Sequence, residues 1–252
     1  MITNYGKIDI DVGGQCLAGT LATPAATNPG ILFVHGWGGS QERDLARARD
    51  IAALGCICLT FDLRGHAATY QQFETVSREE NLRDVLAAYD VLAAQPGVDP
   101  ESIAVVGSSY GAYLAAILTS LRPVKWLSLR VPALYKDTDW SLPKEKLDRK
   151  GIAAYRKSTV GIQENRALGA CAAFEGDVLL VESEHDDLIP HPTIANYVAS
   201  FRRAHSLTYR VIEGADHALT DPSCQRAYTS LLVKWVTEMV LGARGGIALG
   251  GH

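Results

Sequence analysis

A serine framed by two glycines carries the clearest chemistry in this chain: Gly107-Ser108-Ser109-Tyr110-Gly111. The apolar run Ile103 to Val106 leads into it and Ala112 to Leu118 leads out. A buried strand therefore passes into a helix through a turn centred on Ser109. That context gives G-x-S-x-G its meaning as a nucleophile elbow. The turn is too tight for side chains at the glycine positions, and a strained apex lifts the serine hydroxyl clear of the sheet. Ser108 lies off the centre of the glycine frame and reads as a packing neighbour. A serine hydroxyl attacks poorly unless a base takes its proton and an acid orients that base.

The surrounding elements decide which histidine and which acid can reach it. Lys7 to Val12 and Gln15 to Ala22 read as an opening hairpin around Gly13-Gly14. Strands are then expected at Gly30–His35, Cys56–Asp62, Ile103–Gly107, Lys125–Val131, Asp177–Glu182 and Leu207–Ile212. Helices are expected near Glu42–Leu54, Arg78–Gln95, Ala112–Leu121, Thr193–Ala204 and Ser223–Leu241. Ser77 with Glu80 three residues on marks the start of the second helix as a capping box. Strands alternating with helices imply a mostly parallel sheet covered on both faces.

In such a sheet the reacting groups gather at the C-terminal ends of the strands. With the base last in chain order, the candidates are His191, His205, His217 and His252. His205 precedes its strand and so lies at the wrong edge, while His252 is in the tail. His191 follows the acid loop too closely, at the start of a helix. His217 follows the last strand at the correct edge and is the expected base. The acid comes from the loop after the Asp177–Glu182 strand, where Glu182, Glu184, Asp186 and Asp187 all qualify on chemistry.

Bulk properties narrow the class. The chain has 252 residues, 47% hydrophobic and 21% charged, with a net charge of −4. Mild acidity argues against nucleic-acid binding, which normally needs a basic stripe. No apolar run is long enough for a membrane span, and the start lacks the charged and apolar regions of a signal peptide. The five cysteines are scattered without metal-site spacing, which fits a reducing cytoplasm. Residues 133–174 lack a clear strand and are expected to form a lid insertion. Between Leu134 and Phe174 there are eight Lys/Arg and five Asp/Glu, a net of +3 that leaves −7 for the remainder. Within the insertion, Trp140, Leu142 and Leu147 either line an acyl pocket or glue the lid to the core. Residues 243–252 are glycine-rich and read as a flexible tail.

Several segments in order resemble the α/β-hydrolase superfamily from about residue 30 to the end. Ser183-Glu184-His185-Asp186-Asp187-Leu188-Ile189-Pro190 is similar to that family's acid loop, which implies Asp186 as the catalytic acid, with Asp187 as second choice. Phe33-Val34-His35-Gly36-Trp37-Gly38-Gly39 is similar to its H-G oxyanion loop. On that mapping the backbone N–H groups of Trp37 and Tyr110 point at the substrate carbonyl. Donors fixed where charge develops are worth about 3–4 kcal/mol each in barrier height. Asp62-Leu63-Arg64-Gly65-His66 resembles a further segment of the site wall. The wording around Ser109 is closest to bacterial esterases and the prolyl-oligopeptidase-like branch.

The resemblance implies a single α/β-hydrolase-fold domain over residues 1–252: a mostly parallel sheet, helices on both faces and a small lid insertion. The implied function is a serine hydrolase acting on a small carboxylic ester or thioester through Ser109, Asp186 and His217, with no cofactor and no metal. Two alternatives are a small-peptide exopeptidase and a hydrolase-shaped protein that binds a ligand without turning it over.

Overall fold

The computed structural model describes residues 3–12, 15–24 and 27–249, with side chains from 27 to 242. Strands β1 (Thr3–Val12) and β2 (Gln15–Pro24) form the expected antiparallel hairpin, paired from Thr3↔Pro24 to Val12↔Gln15. Its Gly13-Gly14 turn lies outside the described residues.

Six strands make the main sheet: β3 (Asn28–Val34), β4 (Ile57–Thr60), β5 (Val98–Ser108), β6 (Trp126–Arg130), β7 (Asp177–His185) and β8 (Ser206–Asp216). All neighbours are parallel, in the order β4-β3-β5-β6-β7-β8. The chain steps outward from β3 to β4, then returns past β3 to β5. The sheet's topological switch point therefore lies between β3 and β5, and a crevice opens beyond their C-terminal ends.

Parallel strands need crossovers, and here helices supply them on both faces. Along β3 the side chains alternate between two cores. Ile31 and Phe33 pack with Ala48 and Ile51 of α1 (Glu42–Ala52) and with Leu232 and Trp235 of α7 (Pro222–Leu249). Leu32 and Val34 pack with Leu82 and Val85 of α2 (Arg78–Ala93) and with α3 (Tyr110–Leu118), whose residues are all buried. The α2 capping box forms as expected: the Glu80 N–H donates to Ser77 Oγ and the Ser77 N–H to Glu80 Oε2.

Residues 133–174 carry α4 (Arg149–Arg156), α5 (Arg166–Ala173) and a single 3-10 turn at Lys144–Lys146, with no strand. The range is not uniform. Ala167, Leu168 and Cys171 of α5 are fully buried, so its last part belongs to the core, while residues 136–139 are exposed above it. Asn165 locks this junction, accepting from the Ala167 N–H and donating to the Tyr135 carbonyl. Helix α6 (His191–Ser200) precedes β8. Helix α7 continues through the glycine-rich stretch to Leu249, beyond the expected end at Leu241. Glycine lowers helix propensity by about 1 kcal/mol without forbidding continuation. Residues 250–252 lie outside the described residues. No helix among the described residues is long and apolar enough to cross a membrane.

Candidate active site

Ser109 ends the strand-to-helix turn with φ +52° and ψ −112°, a left-handed backbone that only tight surroundings maintain. Those surroundings explain the glycines. A Cβ at Gly111 would lie 2.1 Å from the Val34 carbonyl oxygen, and one at Gly107 would lie 2.5 Å from Ala112 Cα. The Ser109 N–H donates to the Arg130 carbonyl at 2.9 Å, and its own carbonyl accepts from the Tyr113 and Ala133 N–H groups.

The register of the last two strands delivers the partners. Beyond a bulge after Ser183, His185 of β7 pairs with Asp216 of β8. The next residues, Asp186 and His217, therefore leave the sheet side by side. His217 Nδ1 lies 2.6 Å from Asp186 Oδ2, and His217 Nε2 lies 3.0 Å from Ser109 Oγ. With the proton on Nδ1, the imidazole donates to the carboxylate and accepts from the serine. Asp186 Oδ1 accepts two backbone N–H groups, from Leu188 at 2.9 Å and Ile189 at 2.7 Å. The carboxylate side chain is 1% exposed, so its orientation is fully determined.

The other acids and histidines are elsewhere. Asp187 is exposed, Glu182 binds His191 Nδ1 at 3.0 Å, and Glu184 accepts the Gly214 N–H. His205 sits at the opposite sheet edge, 2.7 Å from Asp177.

Upstream, the loop after β3 passes over the serine: a Cβ at Gly36 would lie 3.3 Å from Ser109 Cβ. Two neutral histidines hold this loop. His35 Nε2 accepts the Leu63 N–H and its Nδ1 donates to the Gly36 carbonyl. His66 Nε2 accepts the Gly38 N–H, and burial pushes its imidazole toward the neutral form. Among the described residues, the backbone N–H groups of Trp37 and Tyr110 meet no protein acceptor. The Trp37 indole is fixed by its Nε1–H bond to Glu145 at 2.8 Å and by edge contact with Tyr110.

Trp140 and Leu142, expected to touch substrate, are not among the residues lining the cleft beside Ser109. The Trp140 indole stacks over Tyr113 and lies within 5.0 Å of the Arg78 guanidinium and 5.1 Å of that of Arg166, which anchors it to the core. Leu142 is exposed on the outside. The contacts of Trp140 agree with the other reading of the pattern, a lid held to the core, whereas exposed Leu142 makes no such contact among the described residues.

Four charged residues at the site carry no motif in the sequence. Arg43 and Arg47 share a face of α1 by their i, i+4 spacing, and Arg130 ends β6; all three line the cleft. Lys144 comes from the insertion, its Nζ 4.0 Å from the Trp37 ring centroid and 5.3 Å from that of Tyr110. Burial pushes the Lys144 ammonium down to about 7, with Glu145 opposing. Between that value and the ordinary lysine value of about 10.4, the unfolded chain binds more protons than the folded one, so stability rises with pH there. Lys144→Met is expected to flatten this rise, read as urea midpoints of both proteins at about pH 7 and about pH 9. Equal slopes would place the titration on another group.

The chain matches the Prolyl oligopeptidase family over residues 44–242, a range that includes Ser109, Asp186 and His217. It belongs to that family. Two curated relatives of this prolyl oligopeptidase family member come from two strains of Mycobacterium tuberculosis and are described as uncharacterized. Each is 27% identical over 223 residues, covering 87% of this chain and 74% of the relative. Among solved structures, a dienelactone hydrolase from Anabaena variabilis matches with TM-score 0.58 and 18% identity, covering 94% of this chain and 98% of that one. Est1E from Butyrivibrio proteoclasticus matches with TM-score 0.60 and 17% identity, over 94% and 98% of the two chains. An arylesterase matches with TM-score 0.57 and 17% identity, over 94% and 85%. At these identities the likeness shows the fold. This member of the prolyl oligopeptidase family is therefore a hydrolase-type chain of the α/β-hydrolase superfamily.

Proposed function

We propose that this protein is a serine hydrolase that cleaves a small carboxylic ester or thioester through an acyl-enzyme. The observation that carries the reading is the unbroken chain of contacts from Ser109 Oγ through His217 to Asp186, at 3.0 Å and 2.6 Å. On this reading His217 Nε2 takes the Ser109 proton as Oγ attacks the acyl carbon. Asp186 holds the Nδ1 tautomer and stabilises the imidazolium that forms. The backbone N–H groups of Trp37 and Tyr110 receive the developing oxyanion. The imidazolium then protonates the leaving oxygen or sulfur, and water, deprotonated by His217, releases the acid and restores Ser109. No step requires a cofactor or a metal. The part of residues 133–174 that precedes α5 serves as lid, with Glu145 and Lys144 meeting the Trp37 loop. Cys171 and Cys224, buried thiols, suit a reducing cytoplasm.

The family match favours a second reading, a small-peptide exopeptidase. Kinetics on p-nitrophenyl acyl esters and aminoacyl anilides, run side by side with one enzyme preparation, separate the two. Esters are expected to give the higher kcat/KM across a series of acyl lengths. A preference for anilides would replace the ester reading, and a folded protein that a fluorophosphonate fails to label at Ser109 would point to ligand binding without turnover.

A further inference from the structure

The cleft beside Ser109 has a volume of about 510 Å³ and three arginines in its wall: Arg43, Arg47 and Arg130. That size suits a small organic molecule. Arg47 and Arg130 are 9% and 7% exposed, and their guanidinium carbons lie 4.9 Å and 5.6 Å from the same Tyr228 ring. Two buried cations against one ring repel each other. Burial and Arg47 together push the Arg130 guanidinium down from its ordinary range.

The protein's own acceptors leave these groups incompletely used. Arg47 Nη1 pairs with Asp44 Oδ1 at 3.0 Å. Arg130 donates from Nε to Ser108 Oγ at 3.2 Å and from Nη1 to the His217 carbonyl at 3.0 Å. Arg43 Nη1 donates to the Ala218 carbonyl at 2.9 Å. Among the described residues, no protein acceptor meets Nη2 of any of the three, and the buried Nε of Arg47 is also unpartnered. The carboxylates in the same wall are Asp44, already bound to Arg47, and the exposed Glu42. Asp186 attracts Arg130 as well, but both its oxygens are taken by His217 and the loop N–H groups. One positive charge is left over in the wall, and of the unmet donors Arg47 Nε is buried, which is costly unless an acceptor arrives.

We propose that this cleft is a carboxylate pocket: the ester or thioester cleaved at Ser109 carries a carboxylate, received by Arg43 and Arg47 with Arg130 beneath them. A planar carboxylate matches a guanidinium fork in shape and charge, and so takes up the spare donors in pairs. The inference rests on the hydrolase reading of Ser109 and narrows its substrate to small half-esters of diacids or esters of hydroxy acids. Ser109, the Gly36–Gly39 loop and His217 line the same cleft as the three arginines, so the anion and the reacting bond share it.

Two ester pairs test it, each pair differing by one charge. p-Nitrophenyl hydrogen glutarate against its methyl ester places the anion on the acyl side. p-Acetoxybenzoate against its methyl ester places it on the leaving group. In at least one pair the anionic member is expected to have the higher kcat/KM by about tenfold, a preference that shrinks at about 0.5 M salt. Arg43→Gln, at an exposed position where folding is safe, should reduce that ratio about tenfold, and Glu42→Gln should raise it. A neutral preference in both pairs, or a ratio that Arg43→Gln leaves unchanged, overturns the proposal.

Direct binding separates this result from the hydrolytic reading. Calorimetry on the Ser109→Ala protein should show glutarate or p-hydroxybenzoate binding that Arg43→Gln weakens, even if no ester is cleaved. Absence of binding by both acids would refute the pocket, while turnover of the neutral esters alone would leave hydrolysis standing without it.

Discussion

Replacing Ser109 with alanine is expected to lower kcat on a p-nitrophenyl ester by a factor on the order of 10⁶, as loss of a nucleophile does elsewhere. The substitution removes one oxygen and very little else. The bonds that hold residue 109 in place are made by its backbone, to the Arg130 carbonyl and from the Tyr113 and Ala133 N–H groups. Alanine bears the same positive-φ strain as serine, so the elbow keeps its shape. Thermal unfolding and circular dichroism should therefore match the parent protein while turnover collapses. Donors at Trp37 and Tyr110 remain, leaving a residual rate about 10³-fold above water. A variant that retains turnover within about tenfold of the parent would remove Ser109 from the chemistry.

Asp186→Asn should cost about 10⁴-fold in kcat, for a reason that can be read from its neighbours. The Leu188 and Ile189 N–H groups both donate to Oδ1. In the amide, the oxygen must stay at that position to accept them. The NH₂ group is then turned toward His217 Nδ1, which it can approach only if Nδ1 is unprotonated. The imidazole proton shifts to Nε2, where it faces Ser109 Oγ and cannot accept the serine proton. KM should change little, because no contact with substrate is lost. Combining Asp186→Asn with Ser109→Ala should be no worse than Ser109→Ala alone, since residues that act as a unit are not additive. Additive losses in the double variant would show that Asp186 works outside the serine–histidine pair.

Much of this arrangement is legible in the sequence. The period of the apolar runs identified the alternating strands and helices, and Ser77 with Glu80 located a helix start to the residue. The sheet edges place these histidines as their order in the chain implies: His205 lies beside Asp177 at the far edge, and His217 is the imidazole next to Ser109. Chemistry alone left four acids open, and resemblance favoured Asp186. The pairing of His185 with Asp216 is the physical reason it meets His217, because a bulge after Ser183 sets which residue follows. No local pattern announces that bulge.

The insertion was the least readable part. Its composition predicts a solvated lid, yet α5 is core and Trp140 is held against Tyr113, Arg78 and Arg166. Aromatic residues in an irregular segment look alike whether they face substrate or a neighbouring helix. The arginines were hidden for a related reason. Arg43 and Arg47 sit one turn apart on α1, as solvated residues often do, and Arg130 closes an apolar strand 83 residues after Arg47. Only the packing of α1 and α7 on one face of the sheet brings Arg47 and Arg130 against the same Tyr228 ring.

Local order along the chain thus determined the elements, the strand-to-helix turn at Ser109 and the histidine that follows the last strand, because backbone propensity and apolar period act over a few residues. Strand register, helix placement and the filling of the cleft decided the acid's partner, the fate of Trp140 and the meeting of three arginines. Those depend on contacts between residues far apart in sequence, whose free energy exists only after the sheet has closed around its two cores.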